Sequence, residues 1–204
     1  MPGCDHGLVS VLMSVYNGAP TLEKAAASVL AQTYRDLELI LCDDASTYDT
    51  WRIMQRIAAQ DARVTVFQNK TNRGLGASLN GCLSRAGGEY IARQDADDVS
   101  DPDRIERTMD FLLSSGAPYA ACGVRVFDDG GVWSTRQYPQ KITKHIIAQK
   151  NPFFHPTMVF RRAVLEGVGG YSETPETRRT EDYDLVMRLA AEGVIGENLP
   201  EILY

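Results

Sequence analysis

The sequence predicts an α/β fold, a mostly parallel sheet flanked by helices on both faces. Short apolar runs alternate with segments of helical periodicity from residue 8 to residue 127, in the order β-α-β-α-β-α-β-α-β. Short connections between such elements favour parallel strands joined by crossover helices. The chain has 204 residues, of which 44% are hydrophobic and 24% charged. It is therefore long enough for one sizeable core and has the composition of a globular domain.

The alternation begins with an apolar strand at residues 8–15. Residues 21–32 carry apolar side chains at helical spacing, which predicts an amphipathic helix. A second strand follows at residues 37–42. Ser46, with Asp49 three residues later, has the spacing of a capping box and predicts the start of a second helix that runs to residue 59.

The pattern then repeats at similar intervals. It predicts a strand at 63–68, a helix at 73–86, a strand at 89–93, a helix at 102–113 and a strand at 119–127. Pro102 supports the start of the fourth helix, because proline is favoured in the first turn. These elements complete the five-strand α/β pattern.

The alternation becomes irregular after residue 128. Here we predict a strand at 157–160, helices at 162–167 and 181–192, and an exposed, mobile loop at 172–180. The chain ends inside an apolar, strand-like segment, which we interpret as a C-terminal truncation. We expect a single domain over residues 1–204.

Charge and cysteine content exclude several classes of protein. The net charge of −6 argues against a protein that binds nucleic acid by neutralising many phosphates. No apolar run approaches membrane-spanning length, and no signal peptide is recognisable. The four cysteines, Cys4, Cys42, Cys82 and Cys122, are widely spaced and form no C-x-x-C pair. Three of them fall in or beside apolar segments, which favours buried free thiols in a reducing cytoplasm.

Polar residues follow three of the predicted strands. They are Asp43-Asp44, Arg73 and the acidic cluster Asp95-Ala96-Asp97-Asp98. The carboxyl ends of parallel strands meet at one edge of a sheet, where such folds bind ligands. The acidic cluster fits either a divalent cation or a solvated turn, and the sequence pattern leaves both open.

Three familiar nucleotide and metal motifs are absent. The first strand is followed by Tyr16-Asn17-Gly18-Ala19-Pro20, which has one glycine and no G-x-G-x-x-G pattern. No P-loop is present. The acidic cluster also fails as an EF-hand, because Val99 and Ser100 occupy positions that require an oxygen ligand and a glycine.

Seven short motifs follow one another along nearly the whole chain. They are VSVLMSVYN (9–17), SVLAQTY (28–34), LELILCDDAS (37–46), NRG (72–74), the acidic cluster with PDR (102–104), PFFHP (152–156) and TEDYD (180–184). In this order they resemble the family 2 glycosyltransferases, which have the GT-A fold, a Rossmann-like nucleotide-diphospho-sugar transferase fold. The resemblance implies a nucleotide-sugar donor, usually a UDP-sugar, and a divalent cation, Mg or Mn. It also implies a single catalytic domain over residues 1–204, with a donor nucleotide-binding half at 1–100 and an acceptor-binding half at 101–204.

The resemblance also implies roles for individual residues in binding the donor. By position, Asp44 would contact the base, with Ser14 and Tyr16 beside the nucleoside. Arg73 would lie near the base or the phosphates, and Asp95 would hold the ribose or the sugar.

The remaining roles concern the metal, the acceptor and the base. Asp97, in the D-x-D motif, would bind the metal, and Asp182 would be the catalytic base. Glu181 and His155 are candidates for acceptor contacts. Without the resemblance, Glu181 and Asp182 are explained as acids in the first turn of a helix whose N-cap is Thr180, where they interact favourably with the helix dipole. His155 could equally be a metal ligand or a packed core residue.

The predicted function is inverting transfer of a sugar to a glycan or glycolipid acceptor, in cell-surface polysaccharide synthesis. The Q-x-x-R-W motif of processive synthases is absent, which favours single addition. We expect a cytoplasmic protein, and leave open peripheral association with the inner face of the cell membrane. Two alternatives remain, a sugar nucleotidyltransferase and a non-catalytic nucleotide-sugar-binding domain.

Overall fold

The computed structural model describes residues 7–128 and 130–204. The strands of this part of the chain are β1 (Val9–Val15), β2 (Leu37–Asp43), β3 (Val64–Gln68), β4 (Tyr90–Arg93), β5 (Tyr119–Asp128), β6 (Gly131–Arg136), β7 (Val159–Arg161) and β8 (Glu197–Ile202). The helices are α1 (Leu22–Leu30), α2 (Thr50–Gln60), α3 (Leu75–Leu83), α4 (Arg104–Ser115), α5 (Lys144–Gln149), α6 (Arg162–Gly167) and α7 (Glu181–Ala191). The predicted mixed α/β fold with flanking helices is confirmed.

All the strands belong to one sheet, in the order β3-β2-β1-β4-β7-β5-β6, with β8 also paired to β5. The pairs β2–β3, β1–β2, β1–β4 and β5–β8 are parallel. β7 is antiparallel to both of its neighbours, β4 and β5, so those two strands point the same way. The predicted series of five strands therefore shares one direction, with β7 inserted between the fourth and the fifth.

The sheet separates two apolar layers, and β1 contributes to both. Val9, Val11 and Met13 pack on the side that holds α1, α2 and α4. Leu12 packs on the opposite side, where α3 and α7 lie. Successive side chains of a strand point to opposite faces, so a strand covered on both faces must be apolar at nearly every position. This explains the continuous apolar run that predicted β1.

In the middle of the sheet, between β1 and β4, the order of the strands reverses. From β1 the order runs through β2 to β3 on one side, while β4 lies on the other side. In open α/β sheets, a crevice forms beyond the carboxyl ends of the strands at such a switch point. The loop after β1 and the acidic cluster after β4 are therefore brought to the same crevice.

Three predicted helix starts are wrong by a few residues, and one of them is that of α4, which begins at Arg104 and not at Pro102. α2 begins at Thr50 with Asp49 as its N-cap, and Ser46 instead accepts a hydrogen bond at its Oγ from the backbone N–H of Asn17. α3 begins at Leu75 because Gly74, with φ of +88°, interrupts the helical backbone ahead of it.

Two elements were not predicted, β6 and α5. Nearly all of β6 is exposed, so it lacks the apolar alternation from which a strand is recognised. α5 has six residues and one buried side chain, Ile147, which is too little for a helical pattern.

Four further expectations concern the cysteines, the loop at 172–180, membrane-spanning helices and the division of the domain. Cys42, Cys82 and Cys122 are buried and free, as predicted, while Cys4 lies outside the described residues. Most of residues 172–180 are exposed, around a short 3-10 turn at Pro175–Thr177. Across residues 7–128 and 130–204, every helix is too short or too polar to cross a bilayer. The division of the domain at residue 100 stays a prediction.

Candidate active site

A cavity of about 410 Å³ opens at the carboxyl ends of β1 and β4. We call it the first cavity, and its lining residues are Ser14, Val15, Tyr16, Asn17, Gly18, Pro20, Thr21, Asp95, Ala96 and Asp97. Four predicted site residues, two from each strand end, therefore meet here. Tyr16 is 53% exposed, so its ring is available to a ligand.

The acidic cluster lies at the edge of the first cavity. Asp95, Asp97 and Asp98 each offer a carboxylate oxygen, and the three oxygens lie within 4.8 Å of one another. Burial, together with the neighbouring charges of Asp95 and Asp97, raises the pKa of Asp98 to about 6. Clustered carboxylates that repel one another are the ligands that hard divalent cations prefer. The residues therefore fit a cation site, and among the described residues they form the one such group of three or more acidic, cysteine or histidine side chains.

Hydrogen bonds with two buried side chains, Arg93 and Tyr204, fix the position of Asp95. Arg93, with a side chain 2% exposed, donates from Nη2 to Asp95 Oδ1 over 2.5 Å. The backbone N–H of Asp95 donates to the hydroxyl of Tyr204 over 3.0 Å, and Gln94 Nε2 donates to the same hydroxyl over 3.1 Å. Asp95 is thus fixed by Arg93, the last residue of β4, and by Tyr204, which follows β8.

Asp44, at the end of β2, organises the loop that leads into α3. Its Oδ1 accepts hydrogen bonds from Asn69 Nδ2 and from the backbone N–H of Arg73, each over 2.8 Å. Its Oδ2 accepts from the backbone N–H of Gly74, also over 2.8 Å. Asp44 is 3% exposed and is absent from the lining of the first cavity. The structure shows a loop-fixing role for Asp44, and its contact with a base stays a prediction.

A second cavity of about 300 Å³ lies between the start of α3 and the loop at 172–180. We call it the second cavity; it is lined by residues 72–77, 172–174, 177–179 and 181. Arg73 donates from Nη2 to Glu173 Oε2 over 2.7 Å, which joins the two sides. Arg178 and Arg179 make no ion pair within the described ranges. The structure therefore places Arg73 and Glu181 at one cavity, adjacent to charged arginines.

Asp182 lies in the first turn of α7. Its Oδ2 accepts a hydrogen bond from Asn151 Nδ2 over 2.9 Å, and its side chain is half-buried. Thr180 is the N-cap but makes no side-chain capping bond, and its hydroxyl donates to the carbonyl of Thr177 instead. The helix start alone would tolerate acids here, because they interact favourably with the helix dipole.

His155 is packed in the interior. It is 8% exposed, and its Nε2 lies 3.0 Å from the hydroxyl of Tyr171. Burial holds the pKa of His155 well below its usual range, with the charge of Arg93 acting in the same direction, so the ring is neutral. His155 lines neither the first nor the second cavity, and its contact with an acceptor stays a prediction.

Sequence patterns did not identify three residues that shape the site. Asn151 positions Asp182, and Tyr204 holds Asp95 from 109 positions away in the chain. Arg93 lies two residues before Asp95, and its position offered a signal, because a basic residue in an apolar strand must find a counter-charge when it is buried. For Asn151 and Tyr204 no local signal exists.

The chain is similar to known glycosyltransferases over most of its length. The family profile described as Glycosyl transferase family 2 matches residues 10–169. EpsE of Bacillus subtilis (strain 168), described as a glycosyltransferase, is 46% identical over 198 residues, which is 96% of this chain and 71% of EpsE. WfaP of Escherichia coli, a UDP-Glc:alpha-D-GlcNAc-diphosphoundecaprenol beta-1,3-glucosyltransferase, is 27% identical and covers 94% of this chain and 73% of its own length.

Solved structures show the same fold. S. aureus TarS in complex with UDP superposes with a TM-score of 0.77 at 22% identity over 96% of this chain. The mannosyltransferase PcManGT of Pyrobaculum calidifontis, in complex with GDP-Man and Mn²⁺, gives a TM-score of 0.73 at 22% identity, also over 96% of this chain. This chain spans 59% and 55% of the lengths of those two structures.

Proposed function

The chain belongs to family 2 of the glycosyltransferases, and on that premise we propose that it transfers a sugar from a UDP-sugar to a hydroxyl of a glycan or lipid-linked acceptor, with inversion. Four predicted residues meet at the first cavity: Ser14, Tyr16, Asp95 and Asp97. This meeting at the switch point of the sheet is the main support for the proposal.

The nucleoside part of the donor would occupy the first cavity. The exposed ring of Tyr16 can stack on a base, and Ser14 supplies a hydroxyl that can donate or accept. Asp95 would accept from sugar hydroxyls while Arg93 fixes its carboxylate. The choice of UDP is supported by the UDP-Glc named for WfaP and the UDP bound to TarS.

Asp95, Asp97 and Asp98 would hold a divalent cation, Mg or Mn. When bound, such an ion neutralises the charge that the leaving diphosphate gains. The geometry and charge of the acidic cluster fit this role, and the PcManGT complex contains Mn²⁺.

Asp182 would be the general base that takes the proton of the acceptor hydroxyl as it attacks. Asn151 occupies Oδ2, while Oδ1 accepts no hydrogen bond from any described residue and can face the acceptor. A carboxylate on the side opposite the leaving group is the arrangement that inverting glycosyl chemistry requires.

The proposed acceptor and cellular location are inferred from the name of a relative, WfaP. The name of WfaP specifies a lipid-linked diphosphate acceptor, which supports a similar acceptor here and a role in polysaccharide synthesis. Such acceptors reside in membranes, so we propose a cytoplasmic enzyme that works at the inner face of the cell membrane. A nucleotidyltransferase is disfavoured, because the loop after β1 lacks the glycine-rich, basic sequence that would hold a triphosphate.

Thermal melting with UDP, GDP, dTDP and NAD, each with and without Mn²⁺, tests the donor site. A ligand that binds only the folded state raises the melting temperature. We expect a Mn²⁺-dependent rise with UDP and none with NAD. Slow hydrolysis of UDP-glucose or UDP-GlcNAc should accompany it. Binding without hydrolysis or transfer would indicate a non-catalytic domain, and a rise with GDP alone would change the donor.

A further inference from the structure

A third cavity, of about 400 Å³, lies on the other side of the acidic cluster. We call it the third cavity; its lining residues are Asp97, Asp98, Val124, Arg125, Val126, Phe127, Phe154, Pro156 and Tyr204. Asp97 is the one lining residue that it shares with the first cavity. Its volume is within the range of about 300–1,000 Å³ that is usual for small-molecule sites.

Two aromatic rings from separate segments form apolar walls of the third cavity. Phe127, near the end of β5, is 44% exposed and lines the cavity. Phe154 is half-buried and stacks on Tyr138, with ring centroids 4.7 Å apart and an interplanar angle of 30°. Because Tyr138 holds Phe154 in place, a ligand would meet a preformed surface.

Polar groups line the rest of the third cavity. Asp97 and Asp98 present carboxylates, and Arg125 presents a guanidinium that Asp101 orients through a hydrogen bond of 2.5 Å from Nη2. A site with aromatic walls and a few charged groups suits a ligand with an apolar face and a polar edge. A pyranose has this character, since its C–H groups cover one face and its hydroxyls form the rim.

We propose that the third cavity binds the saccharide part of the acceptor, with Phe127 and Phe154 packed against the apolar face of the sugar. This inference rests on the proposed function, because it takes the first cavity as the donor site. An acceptor must approach the donor where the diphosphate ends. The third cavity meets the first at Asp97, which satisfies that requirement.

The segment at residues 151–156 gives further support. Asn151 positions the proposed base Asp182, and Phe154 and Pro156 from the same segment line the third cavity. One short stretch of chain therefore carries both the partner of the base and the wall of the proposed acceptor site.

The test uses the alanine variants Phe127→Ala and Phe154→Ala. Trp133→Ala is the matched control, since Trp133 lies on the adjoining strand β6, is 61% exposed and does not line the third cavity. Phe127→Trp keeps an aromatic ring. Phe127 is exposed enough that its replacement should leave the melting temperature unchanged.

Saturation-transfer NMR with methyl glycosides of glucose, N-acetylglucosamine, galactose and rhamnose, in the presence of UDP and Mn²⁺, provides the readout. We expect at least one glycoside to bind the unaltered protein, Trp133→Ala and Phe127→Trp. Its affinity should fall by about tenfold in Phe127→Ala and Phe154→Ala. The melting shift with UDP and Mn²⁺ should be the same in all five proteins.

Several outcomes would overturn the inference. These are equal glycoside binding in the alanine variants and the control, loss of the UDP shift together with glycoside binding, and no glycoside binding to the unaltered protein. Absence of nucleotide binding in every protein, with glycoside binding still dependent on Phe127, would instead refute the proposed donor site and leave the saccharide site standing.

Discussion

Arg93 donates from Nη2 to Oδ1 of Asp95 over 2.5 Å, from a side chain that is 2% exposed. The Nε of Arg93 has no hydrogen-bond partner among the described residues. A buried guanidinium thus depends on Asp95 for its counter-charge. This relationship ties the stability of the protein to a residue of the proposed donor site.

Replacing Asp95 with Asn should reduce the free energy of unfolding, because Arg93 would stay charged and buried with no ionic partner. Asp95 itself is 34% exposed, so solvent screens the pair and we expect a loss of about 1–3 kcal/mol. Urea denaturation measures it. Asp103→Asn is the control, since its pair with Arg107 is exposed and worth little. Equal losses in the two variants would contradict the structural role of the buried pair.

Asp97→Asn should weaken metal-dependent nucleotide binding without unfolding the protein. Asp97 is the exposed member of the acidic cluster, and the change removes one charged oxygen from the proposed cation site. We expect the apparent Mn²⁺ affinity, read from the UDP melting shift, to fall by about tenfold or more. Asp49→Asn, at an exposed pair with Arg52, should behave like the unaltered protein. An unchanged Mn²⁺ dependence would exclude Asp97 as a ligand.

Asp182→Asn should abolish transfer and leave nucleotide binding intact. The amide cannot take the acceptor's proton, so the rate should fall by about 10²–10⁴-fold. The UDP melting shift should not change, because Asp182 is absent from the lining of the first cavity. Asp184→Asn alters an acid in the same helical turn, paired with Arg188, and should keep its activity. Parallel losses of binding and rate in Asp182→Asn would refute the assignment of the base.

Tyr16→Ala should weaken UDP binding with little effect on stability, because the ring is 53% exposed. Stacking of a base on an aromatic ring is worth about 1–3 kcal/mol, so the Kd for UDP should rise by about 5- to 150-fold. Calorimetric titration in Mn²⁺ measures it. Tyr48→Ala removes a tyrosine that is 77% exposed and lines none of the cavities, and should bind UDP normally. Matching affinities in the two variants would place the base elsewhere.

His155 should make the protein less stable in mild acid. Its folded-state pKa lies well below the ordinary 6.5, so below that pH the unfolded chain takes up a proton that the folded chain does not. The stability that His155 contributes is therefore present above pH 6.5 and lost as the pH falls. The slope can reach about 1.4 kcal/mol per pH unit.

Comparison with His155→Gln isolates this effect. Asp98 acts in the opposite direction, since its folded pKa of about 6 lies above the ordinary 3.8, and it acts equally in both proteins. We expect the free energy of unfolding to decline more steeply with acidification in the unaltered protein than in His155→Gln. Parallel pH profiles would show that His155 takes up its proton at the same pH in the folded protein as in the unfolded chain, which would contradict the lowered pKa.

Local sequence patterns anticipated most of the fold. β1 is recognisable because a strand covered on both faces must be apolar throughout. The acidic cluster was expected at a sheet edge because the carboxyl ends of parallel strands meet there, whereas Ser14 and Tyr16 were singled out only by the family resemblance. β6 escaped prediction because an exposed strand carries no apolar alternation.

By itself, the sequence determined the order of the strands and helices from β1 to β5 and the concentration of carboxylates at the end of β4, since both are set by neighbours within a few residues. Only the tertiary structure decided that β7 lies between β4 and β5, that backbone N–H groups occupy Asp44, and that Tyr204 and Asn151 hold the two key aspartates. These contacts join residues from 29 to 109 positions apart. Such pairings depend on how whole elements pack together, and no periodicity along the chain records them.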